Sequence, residues 1–464
     1  MEFNIIALGL FGVIMWLFIC LRATRGSFGW VSPASLLAIG LLVLYIIPSL
    51  YWQFRPWNYR IPPYFDGLPI VLIGAIVFGL SFIPDALRKL SYPKKYLKTS
   101  SITDRYGWGL WVCVVPVLLG VGWRFYLITQ GYQSRLSRVS PELFGSEELA
   151  YLFGNITYYY AAFYFALFAL GNKSQRQIGV LFWISDGILQ VYTLHRYVIL
   201  LFVFRSIVFL TLIGVKFSKK QWVSIVFSVV FVISVIGATS FLASQSITGE
   251  RSYLTPGQAV EVVGQITERL FVDASGNFSF MFATLDDTMY RLYEARSASA
   301  VMFNVPDVIP YFKGETFKQV FYSFIPRYLW PGKPDLYDIQ SITILVMPDD
   351  EGVNPAGTLA ELYMNFGFPV ILLGGFLCFL LCKWTDYYLN RKYLSPALIC
   401  VYPIIAELFV AANMSLTRRL CEGVRGIMLL MALMWFFNLC RQKLRGVGGQ
   451  NWNIENNGGY VDVE

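Results

Sequence analysis

Charge is scarce in this chain, and histidine is almost missing. Asp, Glu, Lys and Arg together make up 14% of the residues, and His195 is the single histidine. A soluble chain would carry about a quarter charged residues. One histidine cannot build a His-based metal cluster. The seven cysteines are scattered, most of them inside apolar runs. Cys378 and Cys382 lie one helical turn apart, but the sequence around them offers no further ligands, so they read as small buried hydrophobes. No disulfide framework and no metal site is expected. The phosphate-binding glycine loop, the dinucleotide fingerprint and RNA-binding signatures are also missing, so neither a nucleotide cofactor nor a nucleic-acid partner is expected.

What the chain has instead is apolar and aromatic side chains, 56% and 17% of the residues. Several uncharged stretches approach 20 residues, enough to cross about 30 Å of hydrocarbon. The expected fold is an all-α polytopic integral membrane protein. Eleven spans are placed at roughly 4–21, 31–51, 68–84, 107–128, 149–170, 178–193, 197–215, 221–243, 356–382, 395–414 and 426–440. No basic residue precedes the first span and no small-residue cleavage site follows it, so it is expected to be retained.

The cations divide between the connections. The loops 22–30, 85–106, 171–177, 216–220 and 383–394 hold most of the lysines, with Lys94, Lys95 and Lys98 in one run and Lys216, Lys219 and Lys220 in another. These are alternate connections, as one topology requires. Short basic loops stay in the cytosol, which puts the N-terminus outside and the C-terminus inside. Residues 1–440 then form a single transmembrane domain. The segment 441–464 is a cytoplasmic tail, rich in Gly and Asn and expected to be disordered. The net charge of +8 speaks for topology.

Of the outward connections, 244–355 is too long for a bare loop. It predicts a helix from Thr255 and Pro256, with Val260, Val263, Ile266 and Leu270 on one face, and another over Phe278–Ala295. Asn277-Phe278-Ser279 fits a glycosylation sequon, a pattern common by chance. The other outward loops carry arginine and almost no lysine. Arg196, Arg327, Arg418, Arg419 and Arg425, with Lys333, form a set that suits a polyanion such as pyrophosphate. Snorkelling to lipid headgroups is the competing explanation. In Ile325–Pro334, three prolines stiffen a segment carrying Arg327, Tyr328, Trp330 and Lys333, fit to hold cations to a phosphate and rings to a sugar.

Two carboxylate features complete the inventory. Asp186 and Arg205 each lie about ten positions from the turn at His195–Arg196, hence at a common depth of about 14 Å. They are expected to pair, as a clamp between helices or as a functional site. Glu361 and Asn365 are one turn apart at the outer end of a span, and Glu407 lies in the next. Such a carboxylate could act as general base or neutralise an outer arginine. Tyr158, Tyr159, Tyr160 and Tyr164 form an aromatic cluster read as packing or a membrane belt, with sugar stacking as the alternative.

The chain resembles the bacterial repeat-unit polysaccharide polymerases of the Wzy type, which include O-antigen and enterobacterial common antigen polymerases. The resemblance lies in Ile325–Pro334, in Asn354-Pro355-Ala356-Gly357-Thr358 leading to Asn365-Phe366-Gly367, and in Arg196 and the arginines before the last span. It extends to the topology, with one large late external loop. It implies a glycosyltransferase-C-like fold, similar to O-antigen ligases, in the bacterial inner membrane, with the large loop in the periplasm. It implies transfer of a growing glycan from undecaprenyl pyrophosphate to another lipid-linked repeat unit, with inversion and without a cofactor or metal. Glu361, Arg327 and Arg418 would be catalytic. Arg196, Lys333, Arg419, Arg425, Asn365, Tyr328 and Trp330 would bind substrate. A chain-length-regulating co-polymerase and a lipid-linked glycan flippase are the implied partners. The related ligases are expected to use an external-loop histidine, whereas His195 here sits in a short turn. Alternatives are a flippase, for which the cations should line a central cavity, and another membrane transferase, for which Asp66 is a weak match to a catalytic acid. An acyltransferase would have to use His195.

Overall fold

In the computed structural model, the described residues are 29–54, 68–80, 107–129, 159–192, 196–215, 292–322, 357–389, 396–411 and 414–421. To these are added residue 12, residues 14–15 and scattered positions within 217–228, 285–290, 325–332 and 423–435. All regular structure among them is helical.

The first helix, α1 (Pro33–Trp52), starts where the sequence dictates. Ser32 caps it by accepting the Ser35 N–H, and Pro33 takes the first-turn position, where a missing N–H costs nothing. A π turn at Leu42–Ile46 widens it, with the Ile47 N–H reaching back to the Leu42 carbonyl. Pro48 follows directly, and its ring would crowd a regular turn. Next come α2 (Leu68–Leu80), α3 (Val114–Thr129, entered through a 3-10 turn), α4 (Ala161–Leu170), α5 (Lys173–Tyr192) and α6 (Arg196–Leu212). The large loop contributes α7 (Glu294–Asn304) and α8 (Glu315–Tyr322). Then follow α9 (Gly357–Phe366), α10 (Phe368–Leu389) and α11 (Pro396–Val410).

These boundaries correct several expectations. The span read as 356–382 is two helices. Gly367 separates them with φ +77°, a conformation that glycine adopts without strain. Helix α10 runs on through Lys383 to Leu389, and α5 begins at Lys173, so part of each basic connection is helical. Within the helix forecast over Phe278–Ala295, residues 285, 286, 289, 290 and 292 are helical; a break at Tyr293 then separates them from α7. The helix expected after Pro256, most of the spans 4–21, 221–243 and 426–440, and the tail 441–464 lie outside the described residues, as do Tyr158, His195, Asp66 and Asn277.

Among the described residues two helices, α1 and α10, are long and apolar enough to cross a membrane. Leu110–Tyr126, Ala161–Leu170, Ile199–Leu212 and Ala397–Val410 are apolar but shorter. Packing is organised around α11, which lies against α1, α4 and α6. Helix α4 also packs on α3 and α5. On the other side α10 packs on α1, α2 and α9, and α7 bridges α2 and α9.

Several helices expose apolar faces while burying polar or small residues. On α5, Leu181, Ile184 and Ile188 are exposed while Gln175, Asp186 and Gln190 are buried. On α10, Leu372, Leu373, Phe376, Leu377 and Leu380 face out. Gly374, Gly375, Cys378 and Cys382 face in, and their small side chains let neighbouring helices approach. Exposed apolar area on this scale demands a covering medium.

Close backbone approach is sharpest at Gly40, where a Cβ would fall on the Val410 carbonyl of α11. Gly122 on α3 has nothing within 4 Å of the same position. Gly40→Ala should therefore lower the melting temperature of the detergent-purified protein, corresponding to about 1–3 kcal/mol of overpacking. Gly122→Ala should leave it unchanged or slightly raised. Equal melting shifts for the two variants would show that α1 and α11 are not in this contact.

Candidate functional site

Two buried polar assemblies stand out, one among the helices and one at the base of the large loop. The first centres on Asp186 of α5. Arg124 Nη1 on α3 donates to it at 2.6 Å, Tyr164 Oη at 3.1 Å and Gln190 Nε2 at 2.9 Å, and the Tyr160 hydroxyl donates to it as well. The Arg124 guanidinium also lies 5.2 Å from the Tyr160 ring centre. All of these residues are buried. Nearby, the guanidinium of Arg205 on α6 bonds both carboxylate oxygens of Glu407 on α11, one through Nε and the other through Nη2 at 2.9 Å.

The expected Asp186–Arg205 pair is thus corrected to two pairs, Arg124–Asp186 and Arg205–Glu407. The depth argument matched helices adjacent in sequence, whereas α5 also packs on α3, and α6 packs on α11. A signal was present: Arg124 is the only charged residue in the apolar run 107–128. A lone buried guanidinium must find an anion. Of the aromatic cluster, Tyr160 and Tyr164 are packed in the core and donate to Asp186, and Tyr159 packs half-buried against that core.

The second assembly is built on α9. Asn365 is fully buried and saturated: its Nδ2 donates to Thr316 Oγ1 and to the Glu361 carbonyl, each at 2.8 Å, and its Oδ1 accepts the Gly314 N–H at 2.8 Å. The carbonyls that a helix leaves open at its C-terminus are capped by the large loop, Phe312 N–H to Met364 and Lys313 N–H to Asn365. From the other direction comes the helical stretch 416–421. Ser415 caps it through the Arg418 N–H at 3.1 Å. Glu361 Oε2 accepts the Thr417 N–H at 3.0 Å, a carboxylate well placed at a helix start. The Thr417 hydroxyl donates to the Thr316 carbonyl, and the Thr358 hydroxyl to the Met414 carbonyl.

Glu361 and Asn365 are therefore joints between the loop, α9 and the last arginine pair. Both amide N–H groups of Asn365 are committed to protein partners and its side chain is fully buried, so it has no donor left for a substrate hydroxyl. The two arginines diverge. Arg418 is exposed, while Arg419 is buried and donates from Nη2 to the Ala411 carbonyl at 2.6 Å. Thr316, Thr417 and Gly314 were missed in the sequence, because neutral hydroxyls and a glycine carry no signal without their partners.

Trp330 is exposed and packs edge-on against Tyr322 of α8, ring centres 6.1 Å apart. Trp330 is thus held against the helix whose Thr316 joins the hub. Arg196 opens α6. Arg327, Tyr328, Lys333 and Arg425 lie outside the described residues.

The Asp186 assembly makes a sharp stability prediction. Arg124→Gln or Asp186→Asn alone should destabilise the purified protein by about 3–5 kcal/mol, since one charge stays buried without its counter-ion. The double variant should recover part of that loss, read as melting temperature in detergent. A double variant no more stable than the worse single one would reject the pairing. Compared with models of protein families, with curated proteins and with solved structures, the chain matches none.

Proposed function

We propose that this protein is a multi-pass bacterial inner-membrane glycosyltransferase that polymerises undecaprenyl-pyrophosphate-linked oligosaccharide repeat units on the periplasmic face. One observation carries the reading. Arg418 is an exposed arginine mounted on the hub built on α9, to which α8, with Trp330 packed on its Tyr322, also belongs. The outward apolar faces of α3, α5 and α10 support embedding in lipid. The lysine-rich alternate loops support the orientation.

In this reading an acceptor sugar hydroxyl attacks the anomeric carbon of the donor glycan. The bond from that carbon to the pyrophosphate oxygen breaks, and the pyrophosphate leaves with the bonding electrons. Guanidiniums at the outer face neutralise the charge that develops there. Arg418 is placed for this, and Arg327 and Arg196 are its expected companions. The hydroxyl proton needs an acceptor. Glu361 engages Thr417 through Oε2, which leaves Oε1 as the oxygen able to take it. A chain-length regulator and a glycan flippase belong to the same proposal as partners.

A flippase reading asks for cations lining a passage. Arg124 and Arg205 are interior cations, but each is matched by a carboxylate.

The test is reconstitution with lipid-linked repeat unit, scored as a ladder of polymer lengths. Arg418→Ala should abolish the ladder while the protein elutes and melts as the parent does. Arg418→Lys should recover little, because lysine keeps the charge and loses the bidentate fork. A normal ladder from Arg418→Ala would sink the assignment of Arg418 to the leaving group.

A further inference from the structure

The turn that leads into α8 holds a lysine in a conformation that disfavours it. Lys313 has φ +48°, and Gly314 after it has φ +90°. Glycine adopts the left-handed region freely, whereas a residue with a Cβ is strained there. Two hydrogen bonds fix this shape. The Lys313 N–H meets the Asn365 carbonyl at 3.1 Å, and the Gly314 N–H meets Asn365 Oδ1 at 2.8 Å. Glycine at position 313 would make the same backbone bond without the strain. The backbone thus gives no reason for lysine at this place, and the reason lies in its side chain.

That side chain is exposed, and it has no ion pair or hydrogen bond among the described residues. The acid nearest in sequence, Glu315, is taken by Lys318 at 2.5 Å. Arg418 is the other exposed cation of the hub, and its guanidinium is likewise unpaired among the described residues. Hydrogen bonds tie the two backbones together. Thr417, just before Arg418, donates its hydroxyl at 3.1 Å to the carbonyl of Thr316, three residues after Lys313. Thr316 Oγ1 in turn accepts from the same Asn365 that holds the turn. The depth fits a lipid phosphate. Asn365 lies just before α10, a helix long enough to cross a membrane. Phe366 is 47% exposed, and its ring lies 3.6 Å from where a Cβ on Gly314 would fall. An exposed aromatic ring beside the turn, at the end of such a helix, suits a membrane surface.

We propose that Lys313 is a phosphate-binding residue of this protein, taking one phosphate of undecaprenyl pyrophosphate while Arg418 takes the other. The inference rests on the polymerase reading and deepens it, by adding a cation that no sequence motif marks. A pyrophosphate spreads its charge over two groups, so cations on two separate segments match it better than one. Arginine serves as the bidentate fork and lysine as a point charge. One hydrogen-bonded hub carries both, so neither segment has to be brought up when the anion arrives. Two other uses of the lysine compete with this one. It could hold the headgroup phosphate of an ordinary phospholipid, or it could favour the dipole of α9, whose last carbonyls meet this turn.

The experiment measures equilibrium binding of two probes, undecaprenyl pyrophosphate and phosphatidylglycerol, to the full-length detergent-purified protein. Lys313→Gly should weaken undecaprenyl pyrophosphate about tenfold. It should leave phosphatidylglycerol binding unchanged, and it should keep or raise the melting temperature, because the strain is gone. Lys313→Arg keeps the charge and should bind nearly as the parent does. Lys318→Gln removes the same charge from an ion-paired neighbour and should change neither probe. If Lys313→Gly binds undecaprenyl pyrophosphate as before, the inference is overturned, and a lowered melting temperature would then assign the lysine to the dipole of α9. A Lys313→Arg variant as weak as Lys313→Gly would overturn it too, since the residue then serves the turn and not the ligand. So would an equal loss from Lys318→Gln, which means a general field, or an equal loss for phosphatidylglycerol, which means headgroup anchoring. If the parent binds undecaprenyl pyrophosphate no better than phosphatidylglycerol, the polymerase reading itself has failed and takes the inference with it. In every other outcome the parent still binds its lipid, so the two failures are told apart.

Discussion

Asp186 is the point on which the helical core depends. A carboxylate removed from water is tolerated only when its charge and lone pairs are all met. Here Arg124, Tyr160, Tyr164 and Gln190 meet them, from α3, from α4 and the residue just before it, and from α5 itself. Each of these donors fixes the rotation of its helix about its own axis, because a turn of one residue would withdraw it. Arg205 and Glu407 do the same for α6 and α11. Apolar faces pack on one another with little selectivity, so such pairs specify which helix lies beside which. Gly120 shows the fit from the other side: a Cβ there would meet the Tyr160 ring at 2.6 Å, so α3 must carry glycine for the tyrosine to reach Asp186.

The hub at the base of the large loop obeys a different rule. It is made of backbone groups that helix ends and a turn would leave open, closed by neutral side chains and one carboxylate. Asn365 closes a turn of the loop and Glu361 closes the start of a helix, so the cation-bearing segment is held to α9 by directional bonds. Preorganisation of this kind is what an electrostatic catalyst needs, since its charges must not have to move when the transition state forms.

How much of this could be read from the chain alone differs between the two assemblies. Helical class, the start of α1 at Ser32-Pro33 and the existence of buried charges at positions 186 and 205 were legible, because capping and hydrophobic length are local signals. The identity of the partners was not. Asp186 had Arg124 and Arg205 to choose between, and only the packing of α5 on α3 decides. The break at Gly367 had a local signal, Gly367 with Pro369 two residues on, but the long apolar run to either side led to a single span. Glu361 was legible as an unusual acid, but its engagement with Thr417 depends on a segment more than 50 positions away. The divergence of Arg418 and Arg419 could not be foreseen either, since both sit in the same short motif and only burial separates them.

The π turn of α1 changes how that helix divides its neighbours. It inserts one residue beyond an α turn, so everything after Ile46 is rotated by about 100° relative to an unbroken helix. The part before it turns Gly40 to α11, and the turn itself lies on α7. A single rod thereby addresses two partners that are not in line. In consequence residues 42–46 act as a length-encoded phase setting: point substitutions there change a surface, but loss of one residue would rotate one half of the helix against the other. Insertions and deletions, not side-chain chemistry, are the class of sequence change to which this stretch is sensitive.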